Sequence, residues 1–153
     1  MRITSRAIVL KDEHILINDR NHFGHKYIAL PGGGVEEGES NEQAAIREVK
    51  EECSIVINNP RLVIIEDAGE TFGLQYIFLC DYVSGEPMLD PNSPEAEDNK
   101  DGKNLYAPLW LPLKELGQSN LLPAELKDLI VKFTQTGFPK EPVELKISED
   151  TKV

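Results

Sequence analysis

Two cysteines, Cys53 and Cys80, are all that the chain has, and they lack metal-ligand spacing. That argues against a disulfide scaffold or a cysteine zinc site. The pair reads as reduced packing residues of a cytoplasmic protein. Long apolar runs are missing too. No stretch approaches the roughly 20 residues that span a bilayer, so no membrane partner is expected. The opening MRITSRAIVLKDEHILI carries Lys11 and Asp12 inside its apolar stretch, which is unlike a signal peptide. Basic residues are scarce: 16 Lys and Arg face 27 Asp and Glu, for a net charge of −11. Binding a nucleic acid polymer relies on clustered Lys and Arg, so none is expected as a partner. A small polyphosphate remains open if a divalent cation bridges the two anions. No internal repeat is visible, and 153 residues suit one domain with a sizeable core. The sequence leaves a homodimer open beside a monomer.

One lysine is conspicuously absent. The stretch PGGGVEEGES, residues 31–40, reads G-x-x-x-x-G-E-S from Gly33. A phosphate-binding loop would carry lysine where Glu39 stands. The charge at that position is reversed, so the loop either fails to hold phosphate or serves a carboxylate.

Periodicity outlines an α/β layered domain. Residues 2–10 and 13–19 read as two strands around a turn at Lys11 and Asp12, and the polar stretch up to Lys26 reads as a turn. YIAL is a short strand running into Pro31 and three glycines. Residues 40–53 read as a helix. RLVIIEDAG, LQYIFLCDYV and APLWLPL read as strands, and residues 84–104, with three prolines, as a long exposed loop. An amphipathic helix follows Pro123, with Leu126, Leu129, Ile130 and Phe133 near helical spacing. The domain spans residues 1–138. Residues 139–153 form a charged tail in which VELKI has a weak strand period.

The central helix carries the chemistry. Ser40 with Gln43 is a capping-box pattern. Ala45, Ile46, Val49 and Cys53 form the stripe expected to face the sheet. Glu48, Glu51 and Glu52 share an adjoining arc. Like charges at i, i+4 destabilise an isolated helix by a few tenths of a kcal/mol, and late in a helix the macrodipole disfavours them. A solvated face is the bland explanation. A hard divalent cation is the sharper one, because Mg²⁺ takes carboxylate oxygens together with substrate phosphates. The glycines favour the second: Gly32, Gly33 and Gly34 let backbone approach a ligand. Glu39 precedes the helix, where Arg47 can reach it.

These residues resemble the Nudix hydrolase signature, G-x5-E-x7-R-E-U-x-E-E-x-G-U with U apolar, of the MutT-like family. The match runs from Gly33 through Glu39, Arg47, Glu48, Val49, Glu51 and Glu52 to Ile55. LPGG before it and LWLPLKEL later resemble the family's flanks. Ser54 stands where the family has glycine, a residue that would end the helix in the left-handed conformation. The resemblance implies an α/β/α sandwich on a mixed sheet. It implies hydrolysis of a pyrophosphate bond in a nucleoside diphosphate linked to another moiety, with Mg²⁺ or Mn²⁺ as cofactor. By position it implies Glu48 and Glu52 as metal ligands, Glu51 as a third ligand or the base, and the Gly32 carbonyl as a further ligand. Gly33 and Gly34 become backbone contacts to substrate. Arg47 and Glu39 become orienting partners of the catalytic group. Some members take their base from a loop outside the signature. Glu95 and Glu97 are the candidates here, though a solvated acidic loop is the favoured reading of both.

Family marks of substrate class are missing. The NADH-type motif is absent, Glu70 stands where ADP-ribose enzymes often carry proline, and Thr71 where dinucleoside polyphosphate enzymes carry tyrosine. Nucleoside triphosphates, nucleotide sugars and related compounds remain. The alternative is a catalytically silent Nudix-fold regulator that binds nucleotide. The loop DPNSPEAEDNKD is not an EF-hand, since Glu95 occupies the required glycine position. His22 and His25 lack a third zinc ligand and read as turn residues. Trp110 reads as a packing residue rather than a base-stacking one.

Overall fold

The computed structural model describes residues 2–147. The strands are β1 (Ile3–Lys11), β2 (His14–His22), β3 (His25–Ala29), β4 (Gly32–Gly34), β5 (Val56–Asp67), β6 (Leu74–Ser84), β7 (Asn104–Pro112) and β8 (Val143–Lys146). The helices are α1 (Asn41–Cys53), α2 (Gly69–Phe72), α3 (Pro94–Asn99), α4 (Leu113–Leu116) and α5 (Ala124–Thr136). The sheet runs β3-β2-β1-β6-β5-β8, with β4 added to β1 and β7 to β2. It is mixed: β1 lies parallel to β6 and β5 parallel to β8, while the remaining pairs are antiparallel.

Period-2 alternation splits the core into two layers. Ile8, Ile15, Ile17, Ile64 and Ile77 face one side and pack with Leu126, Ile130 and Phe133 of α5. Ala7, Val9, Leu16 and Phe78 face the other and pack with Ala45, Val49 and Cys53 of α1. Helices on both sheet faces give the α/β/α sandwich. Trp110 packs against the second layer, and its ring meets Tyr82 edge-on at 5.8 Å. Both cysteines are free and buried. None of the described helices is long and apolar enough to cross a membrane.

Four local readings are corrected. The polar stretch up to Lys26 is mostly strand, with His22 paired to His25 and only Phe23 and Gly24 turning. β5 starts at Val56 rather than Arg61, because irregularities around Asn58 and Arg61 carry the strand past Pro60. The presumed loop 84–104 contains α3, where Ser93 caps the first turn and Pro94 opens it. Ile46 is 36% exposed, while Ala44, Glu48 and Glu52 are buried. At about 100° per residue the buried arc centres near Ala45 and Glu52, leaving Ile46 at its edge.

Two expectations from the helix hold. The capping box between Ser40 and Gln43 is formed in both directions. Ser54 ends α1 in the left-handed conformation, φ 57° and ψ 30°. That conformation costs a serine about 1 kcal/mol, but Ser54 Oγ donates to the Met88 carbonyl at 2.6 Å, which returns about as much. Ser54→Gly is therefore expected to shift Tm by less than roughly 3 °C. A larger fall in a thermal melt would show that the hydroxyl outweighs the backbone strain.

Candidate active site

The cleft opens where β1 and β2 part. They pair only at Leu10–Ile15 and Lys11–His14, and the first half of β1 pairs with β4 instead. β4 needs its small residues. A side chain on Gly32 (φ 153°) would meet the Ser5 carbonyl at 2.2 Å, and one on Gly33 would strike the Glu48 carboxylate at 2.6 Å. Nothing crowds Gly34, whose carbonyl instead accepts from Arg47 Nη2 at 3.0 Å.

Arg47 answers the question posed by Glu39. Its Nε and Nη2 grip the Glu39 carboxylate at 2.7 and 3.0 Å. Its Nη1 donates to Glu48 Oε1 at 2.9 Å and Glu51 Oε2 at 3.2 Å. Glu39 also accepts from the Glu36 N–H. The reversed charge thus pins the glycine-rich loop to α1, a bidentate contact suited to guanidinium geometry. Hydrogen bonding from Arg47 holds the Glu39 carboxyl below the usual range, and the same contact keeps Arg47 firmly cationic.

Glu48 and Glu52 turn inward, 7% and 3% exposed. Glu52 Oε1 accepts from Asn18 Nδ2 at 2.7 Å, and Oε2 from the Gly32 N–H at 2.9 Å. Burial, then the charge of Glu48, pushes the Glu52 carboxyl well up despite Arg6. Glu95 on α3 completes the group: one oxygen each from Glu48, Glu52 and Glu95 lie within 4.8 Å of one another. Burial also raises the Glu95 carboxyl. Glu51 stands outside this group and is tied to Arg47; burial and Glu48 raise its carboxyl. Glu97 is exposed and pairs with Lys100 at 2.8 Å.

Sequence reading named Glu95 only as a candidate base, with a solvated loop favoured, and passed over Asn18. For Glu95 a signal existed, because Ser93-Pro94 is a helix start. The helix is then fixed by Asn99, which exchanges hydrogen bonds with the Tyr106 backbone. Asn18 was signalled only by a polar residue at a core-facing place in the alternation of β2.

Among the described residues, Glu48 Oε2 and Glu95 Oε1 are buried oxygens without a hydrogen-bond partner. Clustered carboxylates with free lone pairs suit a hard divalent cation such as Mg²⁺ or Mn²⁺. A cavity of about 260 Å³ holds this group and shares Arg2, Arg6, Arg20, Leu30 and Tyr106 with a larger one of about 870 Å³. Arg20 lies over the Tyr106 ring at 3.7 Å and donates to Asn104. Arg6 is braced by Gln75 and the Leu30 carbonyl. His22 and His25 line the larger cavity. The arrangement places a carboxylate-lined end beside an arginine-rich junction and a roomy chamber.

A family model described as NUDIX domain matches residues 1–133. The NAD-capped RNA hydrolase NudC of Photorhabdus laumondii is 39% identical over 83 residues, which cover 54% of this chain and 32% of that protein. The ADP-ribose pyrophosphatase of Methanocaldococcus jannaschii is 33% identical over 96 residues, covering 60% of this chain and 57% of that one. The matched segment thus spans about a third to somewhat over half of the length of these relatives. Among solved structures, a MutT NUDIX hydrolase from Burkholderia pseudomallei superposes with a TM-score of 0.64 at 24% identity, over 82% of this chain and 94% of that one. That likeness speaks for the fold alone.

Proposed function

Since the chain belongs to the NUDIX family, we propose that it is a divalent-cation-dependent hydrolase of the pyrophosphate bond in a nucleoside diphosphate linked to another moiety. The observation that carries this reading is the smaller cavity, lined by three carboxylates together with three arginines that also line the larger one. Residues 1–138 form the catalytic unit, and the tail adds β8 to the sheet edge. The net charge of −11 favours a small-molecule substrate over an RNA polymer, although some relatives are named for capped RNA.

Glu48, Glu52 and Glu95 would hold the cation; the carbonyl of Gly32, which lines the same cavity, and Glu51, beside Glu52 on α1, are the further candidate ligands. When bound, Mg²⁺ or Mn²⁺ neutralises phosphate oxygens and lowers the pKa of a coordinated water. Arg2, Arg6 and Arg20 receive the phosphates. The backbone of Gly33 and Gly34 lets the substrate approach the Glu48 carboxylate. Arg47 and Glu39 keep the loop and Glu48 in register. Proton acceptance from water falls to Glu95, because its Oε1 is unpartnered while Glu51 is engaged by Arg47.

The test is phosphate release, with a coupled phosphatase, from nucleoside triphosphates, nucleotide sugars, ADP-ribose and dinucleoside polyphosphates, with and without Mg²⁺. Turnover of one class only with Mg²⁺ is expected. Silence across the panel, with a ligand still raising Tm, would replace the enzyme with a nucleotide-binding regulator.

A further inference from the structure

Asn18 is 1% exposed and comes from β2, outside the helix that supplies Glu48 and Glu52. Its Nδ2 donates to Glu52 Oε1 at 2.7 Å. That bond fixes the orientation of the amide and leaves Oδ1 as an acceptor, and Oδ1 has no hydrogen-bond partner. A buried amide oxygen without a partner destabilises the fold. Glu48 Oε2 and Glu95 Oε1 share that condition. Asn18, Glu48 and Glu95 all line the cavity of about 260 Å³. Three unsatisfied acceptors around one small space call for an occupant that brings positive charge or donors. A neutral amide oxygen is a suitable ligand for a hard cation. It also adds no further negative charge to a site where Glu48 and Glu52 already repel.

We propose that Asn18 is a neutral member of the cation site. One end of its amide positions Glu52, and the other offers Oδ1 to the cation or to a water in its shell. This rests on the cation reading above, and the experiment separates the two. Mn²⁺ binding is followed by loss of the free-ion paramagnetic resonance signal in the wild type, Glu48→Gln, Asn18→Leu and Asn18→Ala. Asn18→Leu keeps the shape and removes both polar ends, whereas Asn18→Ala leaves room for water. Expected are a roughly 10–100-fold rise in the Mn²⁺ Kd for Asn18→Leu and a smaller rise for Asn18→Ala, measured well below the melting range because both variants also remove the donor to Glu52. A purely structural role would leave the Kd of the folded protein alone. In the wild type, the Asn18 side-chain amide resonances should shift on titration with Mg²⁺, a readout that does not depend on any variant folding. Unchanged Kd values together with an unmoved Asn18 amide, while Glu48→Gln loses Mn²⁺, would overturn the role of Asn18 alone. A wild type that binds no Mn²⁺ would overturn the cation reading itself.

Discussion

Glu52→Gln is expected to lower kcat/KM by roughly 10³-fold, the loss that follows when one charged group is removed from a preorganised site. The same change should raise the cation-free Tm by a few degrees, since 1 kcal/mol moves Tm by roughly 2–4 °C in a domain of this size. The two effects share one cause. Glu52 is buried beside Glu48, and its carboxyl is held well above the ordinary range. A carboxyl whose pKa is higher folded than unfolded binds more protons in the folded state. Cation-free stability therefore falls as pH rises from the unfolded carboxylate range through the raised folded value. Glu51 and Glu95 contribute with the same sign. Glu39 has the opposite sign: its stabilisation is present above the unfolded pKa and is lost as pH falls through its lowered folded one. Cation-free Tm should thus be higher near pH 5.5 than near pH 8, and Glu52→Gln should flatten that slope. Saturating Mg²⁺ should reverse it by drawing the ionised form. The amide fits the site: its oxygen can accept from the Gly32 N–H, and a flipped Asn18 can accept from its NH₂. Near-full turnover of Glu52→Gln at low Mg²⁺, or a lowered cation-free Tm, would sink this account.

Arg47→Ala is expected to harm both stability and activity. It removes the partner of Glu39, Glu48 and Glu51 together and frees the Gly34 carbonyl. Breaking a fully buried pair costs about 3–5 kcal/mol. The Arg47 side chain is 22% exposed, so about 2–4 kcal/mol is the fitting range, a fall in Tm of roughly 5–15 °C. Activity should fall at least about 10-fold even well below the melting range, because Glu48 and the loop lose their register. Arg47→Lys should restore only part of either, since an ammonium cannot grip Glu39 at two points while reaching Glu48. Melting curves and kinetics on the three proteins decide it. Full recovery in Arg47→Lys would show that charge matters there and fork geometry does not.

Much of this was legible along the chain because the relevant physics is local. The left-handed stop at Ser54 was implied by the glycine of the family signature, whereas the capping box at Ser40 and Gln43 and the arc of Glu48, Glu51 and Glu52 follow from helical spacing and backbone sterics within a few residues. So does the alternation that divides Ile8 from Ala7 and Val9. The loop holding Glu95 read as solvent because its prolines masked a short capped helix. β5 read short because Pro60 looks like a stop, whereas a bulge carries the strand past it.

Residue order along the chain sets which groups are available: clustered carboxylates on one helix, three glycines before it, and an arginine eight residues beyond Glu39. Which of them meet depends on how distant segments pack. α3 is held by Asn99 against β7 and, through the Met88 and Asp90 N–H groups, by carbonyls at the end of α1. That docking delivers Glu95 to Glu48 and Glu52, while Glu51, next in the chain, turns toward Arg47. The parting of β1 from β2 creates the cleft and sets Asn18 against Glu52 across 34 residues. Contacts of that kind depend on sheet pairing and loop closure between distant segments, and no local spacing encodes them.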